Sequence, residues 1–252
     1  MLNAWENFVI VLFAVTLSLL FMWVLNRMWP WEQRHAHNDV IGWQLSILGT
    51  TYAVILGFML YTVWTNFGAA ELNVENEANA LANLYRLAHH LPKQQAEKVE
   101  VLTRSYAQAV IDQDWPEMAD AHTPEASNAL NDEMWKVIMS IESASPTEIN
   151  AEDHALYELS TLSQHRRTRL LQSASRLPNV LWCLLIIGGA VTIASSSMFG
   201  SANTILHALQ VFVFTLLVVL ALVAVADIDR PFQGSVHVSD LAFRRAVQGM
   251  KE

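Results

Sequence analysis

Residues 179–226 read NVLWCLLIIGGAVTIASSSMFGSANTILHALQVFVFTLLVVLALVAVA, forty-eight consecutive positions without a charged side chain. A helix needs about twenty residues to cross the hydrocarbon layer of a bilayer. The run therefore holds two helices, and Ser195 to Asn203, SSSMFGSAN, has the composition of the turn between them. Its second half, ILHALQVFVFTLLVVLALVAVA, is apolar on every face, which does not suit a helix half-buried in a soluble domain. Working outward, two further stretches lack charge: residues 8–25, FVIVLFAVTLSLLFMWVL, and residues 40–67. Only 15% of the 252 residues are charged, against about a quarter in soluble domains, so the class is a membrane protein.

The expected fold is all-α, a polytopic membrane protein with four transmembrane helices and a helical cytoplasmic region. The spans fall at about 8–29, 41–66, 180–199 and 204–226. Residues 1–67 hold the first two spans, 68–178 the cytoplasmic helices, 179–226 the last two spans, and 227–252 a cytoplasmic tail. The first span is not a signal peptide. Residues 1–7 contain no Lys or Arg, and the run ends in Trp29-Pro30-Trp31 rather than in small residues. Trp23, Trp29 and Trp31 suit a membrane–water boundary.

Charge sets the side. Four spans place both termini and residues 68–178 together, and that side holds thirteen of the fifteen Lys and Arg residues. Arg166, Arg167, Arg169, Arg176, Arg230, Arg244 and Arg245 lie near span ends. Positive residues stay inside, so the expected location is the cell membrane, with this side cytoplasmic. Arg27 and Arg34 are the exceptions, alone in the first loop. The triplet Arg166, Arg167, Arg169 reads as an anchor beside anionic lipid or as a positive-inside determinant.

Residues 68–178 read as helices. Val74, Ala78, Leu81, Tyr85 and Ala88 recur at steps of three and four, an apolar stripe. Pro92 marks a restart, and Val99, Leu102, Tyr106 and Ala109 form a stripe that should end before Trp115-Pro116. Thr123-Pro124 has the form of a cap with proline in the first turn, and Ser145-Pro146-Thr147-Glu148 has capping-box spacing. Leu156, Leu159, Leu162 and Leu170 belong to a final long helix.

The second span carries the functional expectation. Gly42, Ser46, Gly49, Ala53 and Gly57 step along it by three or four, which allows close helix approach. On that span Ser46, Thr50, Ala53 and Gly57 are the expected pore-lining residues. Nothing ionised lies at its centre, which speaks against a proton relay. Tyr61, Trp64 and Phe67 are the expected constriction. Between Glu71 and Glu158 there are seventeen acidic residues and five basic ones. This excludes a nucleic-acid surface. It fits a hydrated surface, or a vestibule that concentrates cations, with Glu71, Glu75 and Glu77 at its start. Asp227, Asp229 and Arg230 mark the end of span four, as a water boundary or a gate network.

Other chemistry finds little support. Cys183 is the single cysteine. His35, His37 and Asp39 lack a fuller ligand set, and no metal or cofactor is expected. The chain has no GxSxG, HExxH, GxGxxG or phosphate-loop motif, so no enzyme activity is expected.

Three segments carry a family likeness: residues 37–42, HNDVIG; residues 52–58, YAVILGF; and residues 69–88, AAELNVENEANALANLYRLA. With Asp229-Arg230-Pro231-Phe232-Gln233-Gly234 they resemble the bestrophin-like membrane proteins over nearly the whole chain. The resemblance implies four membrane helices with a cytoplasmic region between the second and third. It also implies a homo-oligomer, a pentamer in bestrophins, whose second helices surround an anion pore. Calcium-binding acidic clusters and aromatic neck residues are family features that do not map residue by residue onto this chain. The acidic residues here lean towards cations. The expected function is an oligomeric ion channel in membrane lipid, the partner being an inorganic ion. The alternative is a noncatalytic membrane scaffold or sensor.

Overall fold

The computed structural model describes residues 4–142 and 145–251, and those residues are all-helical, with no strand among them. The elements are α1 (Ala4–Met28), α2 (Trp31–His35), α3 (Asn38–Ala88), α4 (Lys93–Ala109), α5 (Trp115–Ala119), α6 (Ala126–Ile138), α7 (Pro146–Ala174), α8 (Asn179–Ser197), α9 (Thr204–Ile228) and α10 (Leu241–Gly249). Four of them, α1, α3, α8 and α9, are long and apolar enough to cross a membrane. The chain divides into a membrane unit, which takes the residues up to Thr65 and Arg176–Asp229, and a polar unit, Asn66–Ser175 with the chain from Arg230 on.

In the membrane unit, α3 and α8 approach closely because α8 carries two glycines. A Cβ on Gly188 would stand 2.9 Å from Cδ2 of Tyr52, and one on Gly189 would stand 2.9 Å from its hydroxyl. The Tyr52 hydroxyl donates to the carbonyl of Leu185 at 3.1 Å, so the phenol is satisfied away from water. Helices α1 and α9 meet at two buried hydroxyls, where Thr215 donates to Ser18 at 3.1 Å. Val63, Leu185 and Val225 form the apolar centre where α3, α8 and α9 converge.

The two loops between spans are clasped by Asn38, the first residue of α3. Its amide donates to the Gly200 carbonyl and accepts from the Gly200 N–H, both at 2.8 Å. Gly200 is buried against backbone: an added Cβ would run into the His35 nitrogen and stand 2.7 Å from the Trp31 carbonyl oxygen. Backbone cannot swing aside as a side-chain tip can. Gly200→Ala is therefore expected to cost about 3 kcal/mol, the upper end for overpacking, read as a lower melting temperature of the purified protein in detergent.

In the polar unit, the residues of α3 from Ala70 to Ala88 bury Ala70, Val74, Ala78, Leu81, Leu84 and Ala88. They pack with Tyr106, Met134, Leu159, Leu162 and Phe243 in one core. Helix α7 starts in the expected capping box: the Glu148 N–H donates to the Ser145 hydroxyl at 3.2 Å, and the Ser145 N–H donates to the Glu148 carboxylate at 3.1 Å. The segment after α9 folds onto Trp115. Phe232 and Phe243 meet its ring edge-on at 5.6 and 5.9 Å, and its indole N–H donates to the Val238 carbonyl at 3.2 Å. Gly234 makes this turn possible with φ of 83°, a region that side-chain-bearing residues avoid.

Helix α3 runs through Gly68 without a break. Two local expectations are corrected. The helical run does not stop before Trp115-Pro116; Val110–Asp114 forms a π-helical turn, and α5 continues from Trp115. The wider turn lets the chain pass Pro116, which has no N–H to give to an α-helical ladder. Thr123 is not a cap: α6 begins at Ala126 after Glu125, and no side chain caps it.

Candidate functional site

The membrane portion of α3 has two unlike sides. Ile41, Tyr52 and Val63 are buried within the membrane unit. Ser46, Thr50, Ala53 and Gly57 are spaced by four, three and four residues on one helix face. In the single chain all four are exposed. A Cβ added to Gly49 or Gly57 would have nothing within 4 Å, whereas one on Gly42 would touch Phe199 at 3.5 Å. Packing inside one chain thus accounts for Gly42 but not for Gly49 or Gly57. The Ser46 hydroxyl donates to the Gly42 carbonyl at 2.8 Å. Its proton is committed to the helix, and the oxygen keeps acceptor lone pairs.

The three aromatic residues do not share one setting. Tyr61 and Trp64 are 68% and 60% exposed. Phe67 is half-buried and packs against the core of the polar unit. The three acidic residues also part. Glu71 and Glu75 are exposed, but Glu77 is fully buried. Glu77 therefore does not belong to a hydrated vestibule.

Arg169 explains why. Its guanidinium is fully buried and donates to both oxygens of Glu77, from Nε at 2.8 Å and from an Nη at 3.1 Å, and from that Nη to Asp114 at 2.9 Å. The Tyr106 hydroxyl donates to Glu77 at 2.7 Å. Arg169 also lies over the Trp115 ring at 5.7 Å. Burial opposes its charge, but the carboxylate of Glu77, with Asp114 beside it, more than offsets this and raises its pKa above the ordinary arginine value. Tyr106 is pushed well above the usual phenol pKa, by burial first and then by Glu77. The expected lipid anchor at Arg169 is thus corrected: this side chain is a core clamp joining α3, the π-helical turn and α7. Asn73 adds a second tie to α7, donating to the His165 carbonyl at 2.9 Å. Sequence reasoning missed this cluster, although Glu77 stands three residues after Val74 and four before Leu81, on the apolar stripe.

At the end of span four, the Asp229 carboxylate accepts from the Leu177 N–H at 3.0 Å, just ahead of α8. Asp229 thereby ties the end of α9 to the start of α8. Asp227 and Arg230 are half-buried beside it in the chain. His35 and Asn38 approach the Gly200 carbonyl, and His207 is buried against the Ser196 carbonyl at 3.3 Å. Among the described residues no group of His, Cys, Asp and Glu has the arrangement of a metal site.

The family model of the bestrophin-like domain matches residues 12–243. A crystal structure of a bacterial bestrophin homologue from Klebsiella pneumoniae, carrying a leucine-to-threonine mutation, is similar to this chain with a TM-score of 0.75 and 13% identity. That alignment covers 95% of this chain and 97% of the other. A second structure of the Klebsiella pneumoniae homologue, from Zn-SAD phasing, has a TM-score of 0.75 at 12% identity, with the same 95% and 97% coverage. No curated protein matches the chain. At such identities the structural likeness carries the fold alone.

Proposed function

The chain belongs to the bestrophin-like family, and from that premise we propose that it forms an oligomeric ion channel of the cell membrane in which the α3 helices surround a shared pore. The observation that carries this reading is the uncovered face of Ser46, Thr50, Ala53 and Gly57 on a span without a charged side chain. Lipid tails satisfy Leu and Val but offer nothing to a hydroxyl or a bare glycine backbone. Such a face gains from water, or from neighbouring copies around a water-filled axis. The pore is lined by Ser46, Thr50, Ala53 and Gly57, with Tyr61 and Trp64 towards its cytoplasmic end. Five copies are the family precedent.

Cations are the favoured ions. Glu71 and Glu75 are exposed on α3, and the whole chain carries a formal net charge of −9. Clustered acidic charge raises the local concentration of cations. The termini and residues 68–178 lie in the cytoplasm, as the distribution of Lys and Arg requires. Asp227, Asp229 and Arg230 mark the end of span four, where motion of α9 would be felt first.

Protein reconstituted into liposomes under a KCl gradient tests the reading. The expected result is salt flux with a reversal potential displaced towards that of potassium. A displacement towards chloride would reverse the proposed ion preference. No flux under any pH, calcium level or voltage would leave the scaffold as the function.

A further inference from the structure

Arg27 and Arg34 are the only Lys or Arg residues before Arg86, and their surroundings give them a common role. Arg34 is fully buried. It donates to the Ser197 carbonyl at 3.1 Å and to the Asn26 side-chain oxygen, while its Nε has no partner. The ion pairs among the described residues include neither Arg34 nor Arg27. A buried guanidinium facing only neutral acceptors is costly, because a buried cation is ordinarily matched by an anion.

Asn26, which accepts from Arg34, also lines a cavity of about 300 Å³ with Trp23, Arg27, Trp31, Ser201 and Thr204. The Arg27 guanidinium lies over the Trp23 ring at 5.9 Å and is otherwise exposed. Thr204 opens helix α9, where Asn203 caps the Leu206 N–H at 3.0 Å. The N–H groups of the two preceding residues have no partner inside the helix, and the helix dipole favours an anion there. Two tryptophans at span ends place the cavity at the level of lipid headgroups.

We infer that this cavity binds the phosphate of a membrane phospholipid, with Arg27 as its direct cationic partner and Arg34, through Asn26, as the buried charge that the phosphate balances. The start of α9 supplies further donors. Two arginines on the side that is otherwise poor in them are then binding residues rather than topological noise. The site lies wholly within the membrane unit and does not depend on conduction through α3.

The test uses the full chain, delipidated in detergent, and three probes: dimyristoyl phosphatidylglycerol, dimyristoyl glycerol, which has the same tails without phosphate, and inorganic phosphate. Native mass spectrometry reads retention. The phosphatidylglycerol is expected to be retained about tenfold better than the diacylglycerol, the preference that one charge-assisted contact gives. Arg27→Gln should remove that preference, and Arg27→Lys should restore part of it. Arg27 is exposed, so these variants fold even if Arg34→Gln does not. Failure of inorganic phosphate to displace the lipid supports a phospholipid ligand; ready displacement by it would overturn the lipid assignment. Equal retention of both lipids, or a preference that Arg27→Gln leaves unchanged, would overturn the site.

Discussion

Replacing Arg169 by methionine is expected to destabilise the protein by about 3–5 kcal/mol, the range for removing one partner of a buried ion cluster. The magnitude follows from what stays behind. Glu77 and Asp114 are fully buried, and the guanidinium is the cation bonded to both. Without it, two carboxylates in the core lose their charge partner, and the Tyr106 hydroxyl is left to serve Glu77 alone. Methionine fills comparable volume, so the loss reads charge rather than a cavity. Glu77→Gln should cost less, because Gln keeps an acceptor for Tyr106 and leaves Arg169 paired with Asp114. In the double variant the two losses should not add, since the second substitution removes a charge already orphaned by the first. The check is the apparent melting temperature of the four proteins in one detergent, with trypsin resistance of the polar unit as a second readout. Additive losses, or an Arg169→Met variant as stable as the parent, would contradict the clamp.

The second large effect concerns flux. Ala53→Trp is expected to lower ion flux by at least about tenfold, equivalent to about 1.4 kcal/mol of added barrier. Ala53 is exposed on the α3 face, so an indole there displaces no packed neighbour within the chain. The melting temperature should accordingly stay near that of the parent. Leu12→Trp is the matched control: Leu12 is 54% exposed on α1, a different span. Its flux should match the parent's. Equal loss in both variants would point to general disturbance of the membrane unit.

The membrane helices are legible in the sequence because their signal is crude and long: a run of some twenty uncharged, apolar residues suits a membrane span and little else. The capping box at Ser145 is legible because it is local chemistry. What escapes a sequence reading is set by tertiary context. Pro116 ordinarily ends a helix, and only the π-helical turn before it shows how the chain continues. Residue type alone groups Glu77 and Arg169 with surface charges. Their register says otherwise, since each occupies an apolar-stripe position: Glu77 between Val74 and Leu81, Arg169 seven residues beyond Leu162. A charge at a core position predicts an opposite charge at another, and that pairing is visible in a single sequence only to a reader who expects α3 and α7 to pack.

The outward face of Ser46, Thr50, Ala53 and Gly57 also needs the structure. Periodicity shows that small residues share a face, but not whether the chain itself covers them. The open space beside Gly49 and Gly57 answers that for one chain, and leaves the assembled channel to be tested directly.

Cysteine accessibility during flux is that test. Cys183 is the single cysteine and is exposed, so a Cys183→Ser background gives a clean scan. Cysteines are placed one at a time at Ser46, Thr50, Ala53 and Gly57, and at Leu12 as a lipid-facing control, and a charged methanethiosulfonate reagent is added to conducting proteoliposomes. Block is expected at the four α3 positions and none at position 12. Flux that persists unblocked at all four positions would contradict the proposed pore.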